Sequence, residues 1–195
     1  MLHHTRMSEQ QTYFSPDRDG VDLVARVAQG DKSAMKQLYQ EHADAVARFV
    51  RPRIRDAAEA DDIVHDTMLS VWRGAAGFQG RSSVRSWILT LARNKTVDHI
   101  RKQARVTLGE ADEALPDDAP NAEEILGASQ DAARLKACID QLPERQRTAL
   151  HLVFYEEMTC AEAASVEATS DGTVKSRIYH AKQLLMRCLS RRGAK

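Results

Sequence analysis

The segment from Ser83 to Arg105 constrains the fold of this chain most, because its character changes halfway along. The first half is apolar on nearly every side of a helix, which predicts that it passes through a core. The second half is cationic, with a single acid among the bases Arg93, Lys95, Arg101, Lys102 and Arg105. At about 100° per residue, one line along the helix carries Trp87, Asn94, Asp98, Arg101 and Arg105. This row fits a nucleic-acid backbone, and the alternative is a solvated helix end whose cations suit the helix dipole.

Composition favours an all-helical protein, because alanine and aliphatic residues are abundant while aromatic residues, glycine and proline are scarce. The net charge is zero, which argues against a uniformly basic binding protein. The charges are nevertheless segregated. Residues 56–66 and 106–128 contain acids and no lysine or arginine, whereas residues 171–195 contain seven bases and one acid. Segregation of this kind indicates different partners for different segments.

The three cysteines, Cys138, Cys160 and Cys188, are far apart, odd in number and without the spacing of metal ligands. We therefore predict reduced thiols, each a small core or surface residue, in a cytoplasmic protein. No metal site or cofactor is expected, since the histidines are scattered and no phosphate-binding glycine loop precedes a helix. Without a long apolar run or a signal-peptide core, direct membrane insertion is not expected either. Met7 is an alternative start to Met1.

Periodicity and composition divide the chain into four parts. Residues 1–20 are polar and are expected to be a disordered tail. Residues 21–105 are predicted to form a first helical domain, and residues 128–195 a second. Between them, residues 106–127 are acidic, contain two prolines and show no helical stripe until their end, which predicts a flexible linker. The predicted fold class is all-α, with two small helical domains joined by this linker.

Three helices are predicted before the central segment. The first begins at Val21 and ends at Gly30, and Asp31 then caps the second, which ends near Pro52. The third begins after Asp56 and ends at Trp72–Arg73, with a core side formed by Ala60, Val64, Thr67 and Val71. Its opposite side carries a stripe made of Asp62, His65, Asp66, Leu69 and Arg73. Most acidic stripes on helices are merely solvated, but the leucine in this one indicates a docking face.

A glycine-rich loop, Gly74 to Ser82, surrounds one large aromatic residue, Phe78, directly before the cationic helix. A lone phenylalanine in such a loop is more often a plug into its own domain than a platform for a stacked base. Its position beside the cationic helix keeps the stacking function open. Ser82 or Ser83 is expected to cap the helix that follows.

In the second domain, Pro143 starts a helix that runs from Glu144 to about Glu156, with predicted inward residues Ala149, Leu150, Val153 and Phe154. Thr159 and Glu162 form a capping box for a short helix, and Ser170 caps a long one. The outer side of the long helix carries Ser176, Tyr179, His180, Gln183 and Arg187, flanked by Lys175 and Arg177. This pattern predicts a helix-turn-helix for the major groove of DNA, and the alternative is an ordinary helical hairpin.

Four segments occur in an order that is typical of one family: DDIVHDTMLSVWRG, FQGRSSVRSWILTLARNKTVDHIRKQ, QLPERQRTALHLVFYEEMTCAEAA and GTVKSRIYHAKQLL. With them the chain resembles the extracytoplasmic-function sigma factors, the small bacterial sigma factors. The resemblance covers about residues 21–105 and 128–189. It implies that the first domain binds RNA polymerase and melts the −10 promoter element, while the second domain recognises the −35 element.

The resemblance also implies roles for individual residues. Contacts to core RNA polymerase, at the clamp helices of its largest subunit, fall to Asp62, His65, Asp66 and Met68, and Leu69 lies beside them. The polymerase flap region is a further expected partner. Contacts to −10 DNA fall to Phe78, Trp87, Asn94, Lys95, Arg101 and Arg105, with Phe78 and Asn94 at positions that hold a flipped base. Contacts to −35 DNA fall to Thr173, Lys175, Ser176, Arg177, Tyr179 and His180.

Three departures from the family pattern bear on these roles. His65 stands where glutamine is common, which keeps a hydrogen-bonding group at this position. Ala168 replaces the usual turn glycine, so that the turn is expected to be wider or strained. Thr169 and Ser170 replace an apolar residue and a proline. The last two departures concern the geometry of the second domain and not its identity.

The leading hypothesis is a transcription initiation factor without catalytic chemistry, working in a stress regulon under an anti-sigma factor. One alternative is a sigma-like decoy that binds an anti-sigma protein and never contacts promoters; the cations Arg101, Lys102 and Arg105 argue against it. Another is a helix-turn-helix regulator that does not replace a sigma factor; such a protein would not need the docking helix at residues 58–73.

Overall fold

The computed structural model describes residues 18–107 and 130–192, and within these two ranges all regular structure is helical. The eight α-helices are α1 (Arg18–Ala28), α2 (Lys32–Val50), α3 (Ala57–Gly74), α4 (Val84–Thr107), α5 (Gln130–Asp140), α6 (Glu144–Leu150), α7 (Cys160–Glu167) and α8 (Asp171–Arg192). The predicted all-α fold class is confirmed. Most of the predicted tail (1–20) and linker (106–127) lies outside the described residues, although α1 already begins at Arg18 and α4 continues to Thr107.

The junction between α1 and α2 is fixed by two adjacent residues. Gly30 has a φ of +86°, a left-handed conformation that glycine adopts without the steric cost of a Cβ atom. The Oδ1 atom of Asp31 accepts hydrogen bonds from the backbone N–H groups of Ser33 at 2.8 Å and Ala34 at 3.1 Å. The predicted stop at Gly30 and cap at Asp31 are therefore confirmed.

Helix α3 buries the side that the sequence predicts. Asp56 caps it by accepting a hydrogen bond from the N–H of Glu59 at 3.0 Å. The predicted core residues are all buried: Ala60, Val64, Thr67 and Val71. The three apolar ones, Ala60, Val64 and Val71, belong to one core with apolar residues of the neighbouring helices, among them Leu38, Phe49, Ile88 and Leu89. The helix thus presents its acidic stripe to solvent because its apolar stripe is occupied.

Helix α4 changes its environment along its length, as predicted. Ser83 caps it, since its Oγ accepts a hydrogen bond from the N–H of Ser86 at 3.2 Å. The first half is anchored in the core by Val84, Ile88, Leu89 and Ala92. Residues 100–105 are all exposed. The cationic half therefore extends beyond the core into solvent.

The segment after α6 corrects one prediction. A π-helical turn, His151–Tyr155, replaces the continuous α-helix that was expected to reach Glu156. Because a π-turn contains more residues than an α-turn, the inward side shifts, and Leu152 is fully buried while Phe154 is 53% exposed. The predicted inward position of Phe154 is wrong for this reason. The same shift carries Glu156 into the interior.

Helices α7 and α8 form the predicted helix-turn-helix. The capping box is present: Thr159 Oγ1 accepts from the N–H of Glu162 at 3.2 Å, and the Glu162 carboxylate accepts from the N–H of Thr159 at 3.0 Å. Ser170 caps α8 by accepting from the N–H of Thr173 at 3.1 Å. Ala168 ends α7 with a φ of +50°. A left-handed alanine costs about 1–2 kcal/mol, so the expected strain at this turn is confirmed.

The cysteines contradict the prediction of separate reduced thiols. Cys138 on α5 and Cys188 on α8 form a disulfide with an S–S distance of 2.06 Å, although 50 positions separate them in sequence. Helices α5 and α8 pack side by side, and this packing brings the two thiols together. Cys160 is free and partly buried. Sequence spacing alone did not indicate the pair because the contact is created by tertiary structure.

The two helical halves, α1–α4 and α5–α8, pack against each other. Helix α7 lies on α4, and one continuous cluster of buried apolar residues includes residues of both halves, such as Leu89 from the first and Val166 from the second. The sequence left the relative orientation of the halves open.

Candidate nucleic-acid interface

The cationic row of α4 is exposed at most of its predicted positions. Asn94, Asp98, Arg101 and Arg105 are exposed, whereas Trp87 and Lys95 are partly buried. The Nη1 atom of Arg93 donates a hydrogen bond to Oδ1 of Asn94 at 3.3 Å, which leaves the amide nitrogen of Asn94 free to donate elsewhere. Lys95 lies about a quarter-turn away from this line. The row can follow a phosphate backbone, with one amide available to a base.

Phe78 and Trp87 form an aromatic pair at the start of this row. Their ring centroids are 4.8 Å apart and their planes are tilted by 34°. Both side chains are partly buried and packed against the core, and the N–H of Phe78 donates to the carbonyl of Ala75 at 3.1 Å. One part of the phenyl ring therefore packs into its own domain, which is the function that the sequence analysis favoured for Phe78. The rest of the ring stays accessible.

The predicted docking face of α3 is exposed, with one exception. Asp62, His65 and Asp66 are exposed, and Leu69 is an exposed large apolar residue. Met68 is only 2% exposed and belongs to the core. Met68 can therefore contribute to an interface only through the small part of its side chain that lines a neighbouring groove.

That groove lies between α2 and α3 and was not anticipated from the sequence. Its volume is about 330 Å³, and its lining is Lys32, Met35, Tyr39, His65, Met68, Leu69 and Trp72. The lining is mostly apolar and adjoins the acidic face of α3 through His65 and Leu69. The acidic face and the groove together resemble a site for a partner helix with one basic and one apolar side.

The N-terminal half of α8 presents most of the predicted recognition residues to solvent. Lys175, Ser176, Tyr179 and His180 are exposed, and the rings of Tyr179 and His180 meet edge to face with centroids 5.6 Å apart. The Nζ atom of Lys175 lies 2.7 Å from the carboxylate of Asp171, and this hydrogen bond raises the pKa of Lys175. Thr173 is partly buried beside the Ser170 cap.

Arg177 differs from its neighbours on α8. Its side chain is only 17% exposed, and its Nη1 atom lies 3.5 Å from the Glu167 carboxylate. Burial raises the pKa of Glu167, while the positive charges of Arg53, Arg177 and Arg93 oppose that rise. Arg177 is thus paired with a carboxylate of the protein. Its side chain does not project freely into solvent, as would be expected of a residue that contacts phosphate.

A buried carboxylate, Glu156, was also missed by sequence reasoning. Its side chain is 0% exposed, and Arg85, Arg48 and the His151 ring lie at 2.5, 3.1 and 3.2 Å from its oxygens. Burial alone would raise the pKa of Glu156, but the contact with His151 and the charges of Arg85 and Arg48 outweigh it and lower the pKa to about 2. Its burial follows from the π-turn, which no sequence pattern indicated.

The fold and the outward-facing helices α4 and α8 define the class of helical transcription proteins with a helix-turn-helix in the second half. Residues 38–106 match the family described as Sigma-70 region 2, and residues 132–185 match the family described as Sigma-70, region 4. The chain belongs to the extracytoplasmic-function (ECF) RNA polymerase sigma factors.

Individual relatives agree with this assignment. The ECF RNA polymerase sigma factor SigK of Mycolicibacterium vanbaalenii is 32% identical over 172 residues, which cover 86% of this chain and 87% of the relative. RpoE of Cereibacter sphaeroides is 33% identical over 163 residues, which cover 82% and 88% of the two chains.

Two solved structures share the fold. CnrH in complex with the cytosolic domain of CnrY has a TM-score of 0.61 at 25% identity, covering 88% of this chain and 97% of that one. RpoE in complex with the anti-sigma factor NepR, from Bartonella quintana, has a TM-score of 0.62 at 24% identity, covering 80% and 96%. Among the helices that the structure describes here, none has the length and apolar character needed to cross a membrane.

Proposed function

We propose that this chain binds core RNA polymerase and directs transcription initiation at specific promoters. One observation carries the proposal: the chain has both an exposed cationic row on α4 and an exposed N-terminal half of the recognition helix α8. Two nucleic-acid-facing helices in separate halves suit the recognition of two separate promoter elements. The protein itself performs no catalytic step in this function.

In the first half, the accessible part of Phe78 and the amide of Asn94 receive a base of the melted −10 strand. Trp87 supports Phe78 from behind, and Arg101 and Arg105 follow the phosphates of the same strand. Stacking of a base on an aromatic ring is worth about 1–3 kcal/mol and tolerates different bases. The cationic row on α4 supplies the sequence-independent part of the affinity.

In the second half, the N-terminal part of α8 enters the major groove at the −35 element. The exposed side chains of Lys175, Ser176, Tyr179 and His180 lie where base edges are read in a helix-turn-helix. Thr173 and Arg177 suit phosphate contacts, and Arg177 must leave Glu167 to make one.

Polymerase binding is assigned to α3 and the groove beside it. Asp62, His65 and Asp66 offer an acidic and hydrogen-bonding face to the clamp helices of the largest subunit, and Leu69 adds an apolar contact. The flap region of the polymerase is the expected partner of the second half. An anti-sigma factor is the expected regulator, and the apolar groove lined by Tyr39 and Trp72 suits one of its helices.

Run-off transcription with core polymerase that lacks any sigma factor tests this function. On a pool of genomic fragments, the chain should yield discrete promoter-specific transcripts. A sigma-like decoy would not bind promoter fragments and would not support transcription from them. A simple helix-turn-helix regulator would bind the fragments but would not support transcription.

A charge-reversal variant tests the polymerase face itself. Asp62→Lys with Asp66→Lys should abolish binding to core polymerase, since removing buried interfacial charge partners typically costs about 2–5 kcal/mol. The matched control is Glu41→Lys with Asp44→Lys, which reverses two exposed acids on α2. If the first variant copurifies with polymerase as well as the control does, the surface is assigned wrongly.

A further inference from the structure

The outer turns of α4 lie beyond the reach of the core. Among the α4 residues whose side chains the structure describes, Thr96 is the last that is buried, and residues 100–105 are all exposed. At a rise of about 1.5 Å per residue, Arg105 lies about 14 Å beyond Thr96 along the helix axis. The core therefore does not fix the direction of the turns that carry Arg101 and Arg105.

Glu59 on α3 contacts two successive turns of this part of α4. Its Oε1 atom accepts a hydrogen bond from Nε2 of Gln103 at 2.8 Å, and its Oε2 atom lies 3.2 Å from Nε2 of His99. His99 and Gln103 are four positions apart, which places them one above the other on the same face of the helix. One carboxylate thus forms a bridge from α3 to the outer turns of α4.

Glu59 starts from a fixed position. It lies in the first turn of α3, where its N–H donates to Asp56 at 3.0 Å, and the next residue, Ala60, is buried. The side chains of Glu59 and His99 are 41% and 24% exposed. Contacts this exposed add little to global stability, so the consequence of the bridge is geometric.

The bridge lies on the side of α4 that is roughly opposite to the cationic row. At about 100° per residue, the direction midway between His99 and Gln103 is about 150° around the helix from the line through Asn94, Arg101 and Arg105. Holding that side against α3 turns the row towards solvent. The bridge therefore sets where the cations of the outer turns stand relative to Asn94.

The charge of Glu59 by itself would act against DNA binding. A carboxylate close to a cationic helix end lowers the positive potential that attracts phosphates. Removal of Glu59 would therefore strengthen DNA binding if charge were its only contribution, and would weaken DNA binding if the bridge positions the row. The two contributions have opposite signs, which makes them separable by experiment.

We propose that Glu59 is a positioning residue for recognition of the −10 element. Through His99 and Gln103 it holds the outer turns of α4, so that the cationic row meets the phosphates next to the bound base. The inference rests on the proposed function, which gives the row its DNA ligand. Side chains that are held in position before binding lose less conformational entropy on binding, so the bridge raises affinity without contacting DNA.

The test compares Glu59→Ala with the double variant His99→Ala, Gln103→Ala, which removes the same bridge from the α4 side. Alanine favours helix, so the double variant does not weaken α4 through intrinsic propensity. Glu59→Gln keeps a carbonyl oxygen for Gln103 without the charge. The matched control is Glu41→Ala, since Glu41 also accepts from a glutamine, Gln37, at 2.8 Å, but within its own helix α2.

Hydrogen exchange of the full chain measures the bridge directly. The amides of residues 100–105 should exchange severalfold faster in Glu59→Ala and in His99→Ala, Gln103→Ala than in wild type, because the outer turns open more often. Glu59→Gln and Glu41→Ala should exchange as wild type does. Circular dichroism and copurification with core polymerase should be unchanged in all four variants.

DNA binding is measured across a salt series with holoenzyme assembled from core polymerase and each variant. The probe is fork-junction DNA that carries the −10 element of a promoter found by run-off transcription. Glu59→Ala should bind about threefold to tenfold more weakly and should lose roughly one phosphate contact from the salt slope. Glu59→Gln should bind at least as tightly as wild type. Arg101→Ala with Arg105→Ala should weaken binding less in the Glu59→Ala background than in wild type, because residues that act as one unit are not additive.

Three outcomes would overturn the positioning role: unchanged exchange in both bridge variants, DNA binding by Glu59→Ala that equals or exceeds that of wild type, or a fully additive combination with the arginine variants. Should Glu59→Ala lose helicity, His99→Ala, Gln103→Ala decides the matter. If wild type yields transcripts while the bridge variants bind DNA as wild type does, the proposed function stands and the positioning role fails. Absence of run-off transcripts with wild type would instead contradict the proposed function, and hydrogen exchange would still test the bridge.

Discussion

The phenyl ring of Phe78 rests on the indole of Trp87, with 4.8 Å between the ring centroids. Trp87 begins the row on α4 that continues through Asn94, and both aromatic side chains pack against the core. The loop before α4 is therefore fixed to the helix by this pair. A base that stacks on Phe78 would therefore contact a ring whose position is fixed by Trp87 and the core.

Phe78→Ala should reduce promoter opening without weakening the first encounter with duplex DNA. Loss of one stacked base typically costs about 1–3 kcal/mol. Permanganate reactivity of unpaired thymines in the −10 region measures opening, and Asn94→Ala should reduce it as well. Trp87→Ala should act in the same direction because it removes the support of Phe78.

Phe154→Ala is the matched control, since Phe154 is an exposed phenylalanine in the other half. It should leave permanganate reactivity at the wild-type level. On a premelted bubble, Phe78→Ala should still bind more weakly than wild type. Unchanged reactivity in both Phe78→Ala and Asn94→Ala would exclude the stacking site.

Local signals in the sequence predicted much of the fold. The caps at Asp31 and Thr159 and the stop at Gly30 depend on short-range hydrogen bonds and backbone sterics, which neighbouring residues determine. The buried side of α3 follows from helical periodicity in the same way. These features are confirmed because nothing distant is needed to create them.

Features that depend on tertiary contacts were missed. The π-turn after α6 shifts the inward side, so Phe154 is exposed and Glu156 is buried. The Cys138–Cys188 pair needs α5 against α8. In the candidate site, the exposed row on α4 and face on α3 were predicted from single helices. The groove between α2 and α3, in contrast, needs two helices, and no periodicity within one segment indicates it.

The disulfide should stabilise the second half. It closes a segment of 50 positions, and bridges of this kind typically contribute about 2–4 kcal/mol by restricting the unfolded chain. Cys138→Ala with Cys188→Ala, or reduction with dithiothreitol, should lower the free energy of unfolding by about that amount in urea titrations. The reductant should have no further effect on the double variant.

Cys160→Ser is the control for this experiment, because Cys160 is the free thiol among the described cysteines. It should unfold close to wild type and keep its response to the reductant. Equal stability of oxidised and reduced wild type would show that the bridge does not stabilise the fold.

Acid should weaken the contact between the halves through Glu156. Its pKa in the folded chain, about 2, is below its ordinary value of 4.5, so the charged form stabilises the fold above that ordinary value. This contribution is lost as the pH falls from 4.5 towards 2. Urea titrations should therefore give a stability difference between wild type and Glu156→Gln that is largest near neutral pH and shrinks in acid.

Glu157→Gln provides the comparison, since Glu157 is the adjacent residue and is exposed. Its stability curve should follow that of wild type across the same pH range. A constant difference between wild type and Glu156→Gln at every pH would contradict a charged, arginine-paired carboxylate at this position.

The recognition helix should show two different phenotypes. His180 is exposed on the N-terminal half of α8, the part that meets base edges in a helix-turn-helix. His180→Ala should therefore cost about 1–3 kcal/mol on the cognate −35 element and much less on a scrambled one. Lys175→Ala should behave similarly, and its ion pair with Asp171 must open before Lys175 can contact a base.

Arg177 lies about a right angle or more around the helix from Ser176 and Tyr179, nearer a groove wall. Arg177→Ala should weaken binding to all sequences similarly and reduce the salt dependence by roughly one phosphate contact. Since Arg177 is paired with Glu167 within the second half, it must exchange that carboxylate for a phosphate to make this contact. Fluorescence anisotropy of the full chain on cognate and scrambled duplexes, across a salt series, measures both effects. If Arg177→Ala weakens binding only to the cognate sequence while His180→Ala weakens binding to both sequences equally, α8 is rotated from the orientation inferred here. The left-handed Ala168 at the turn would then be the first position to replace with glycine.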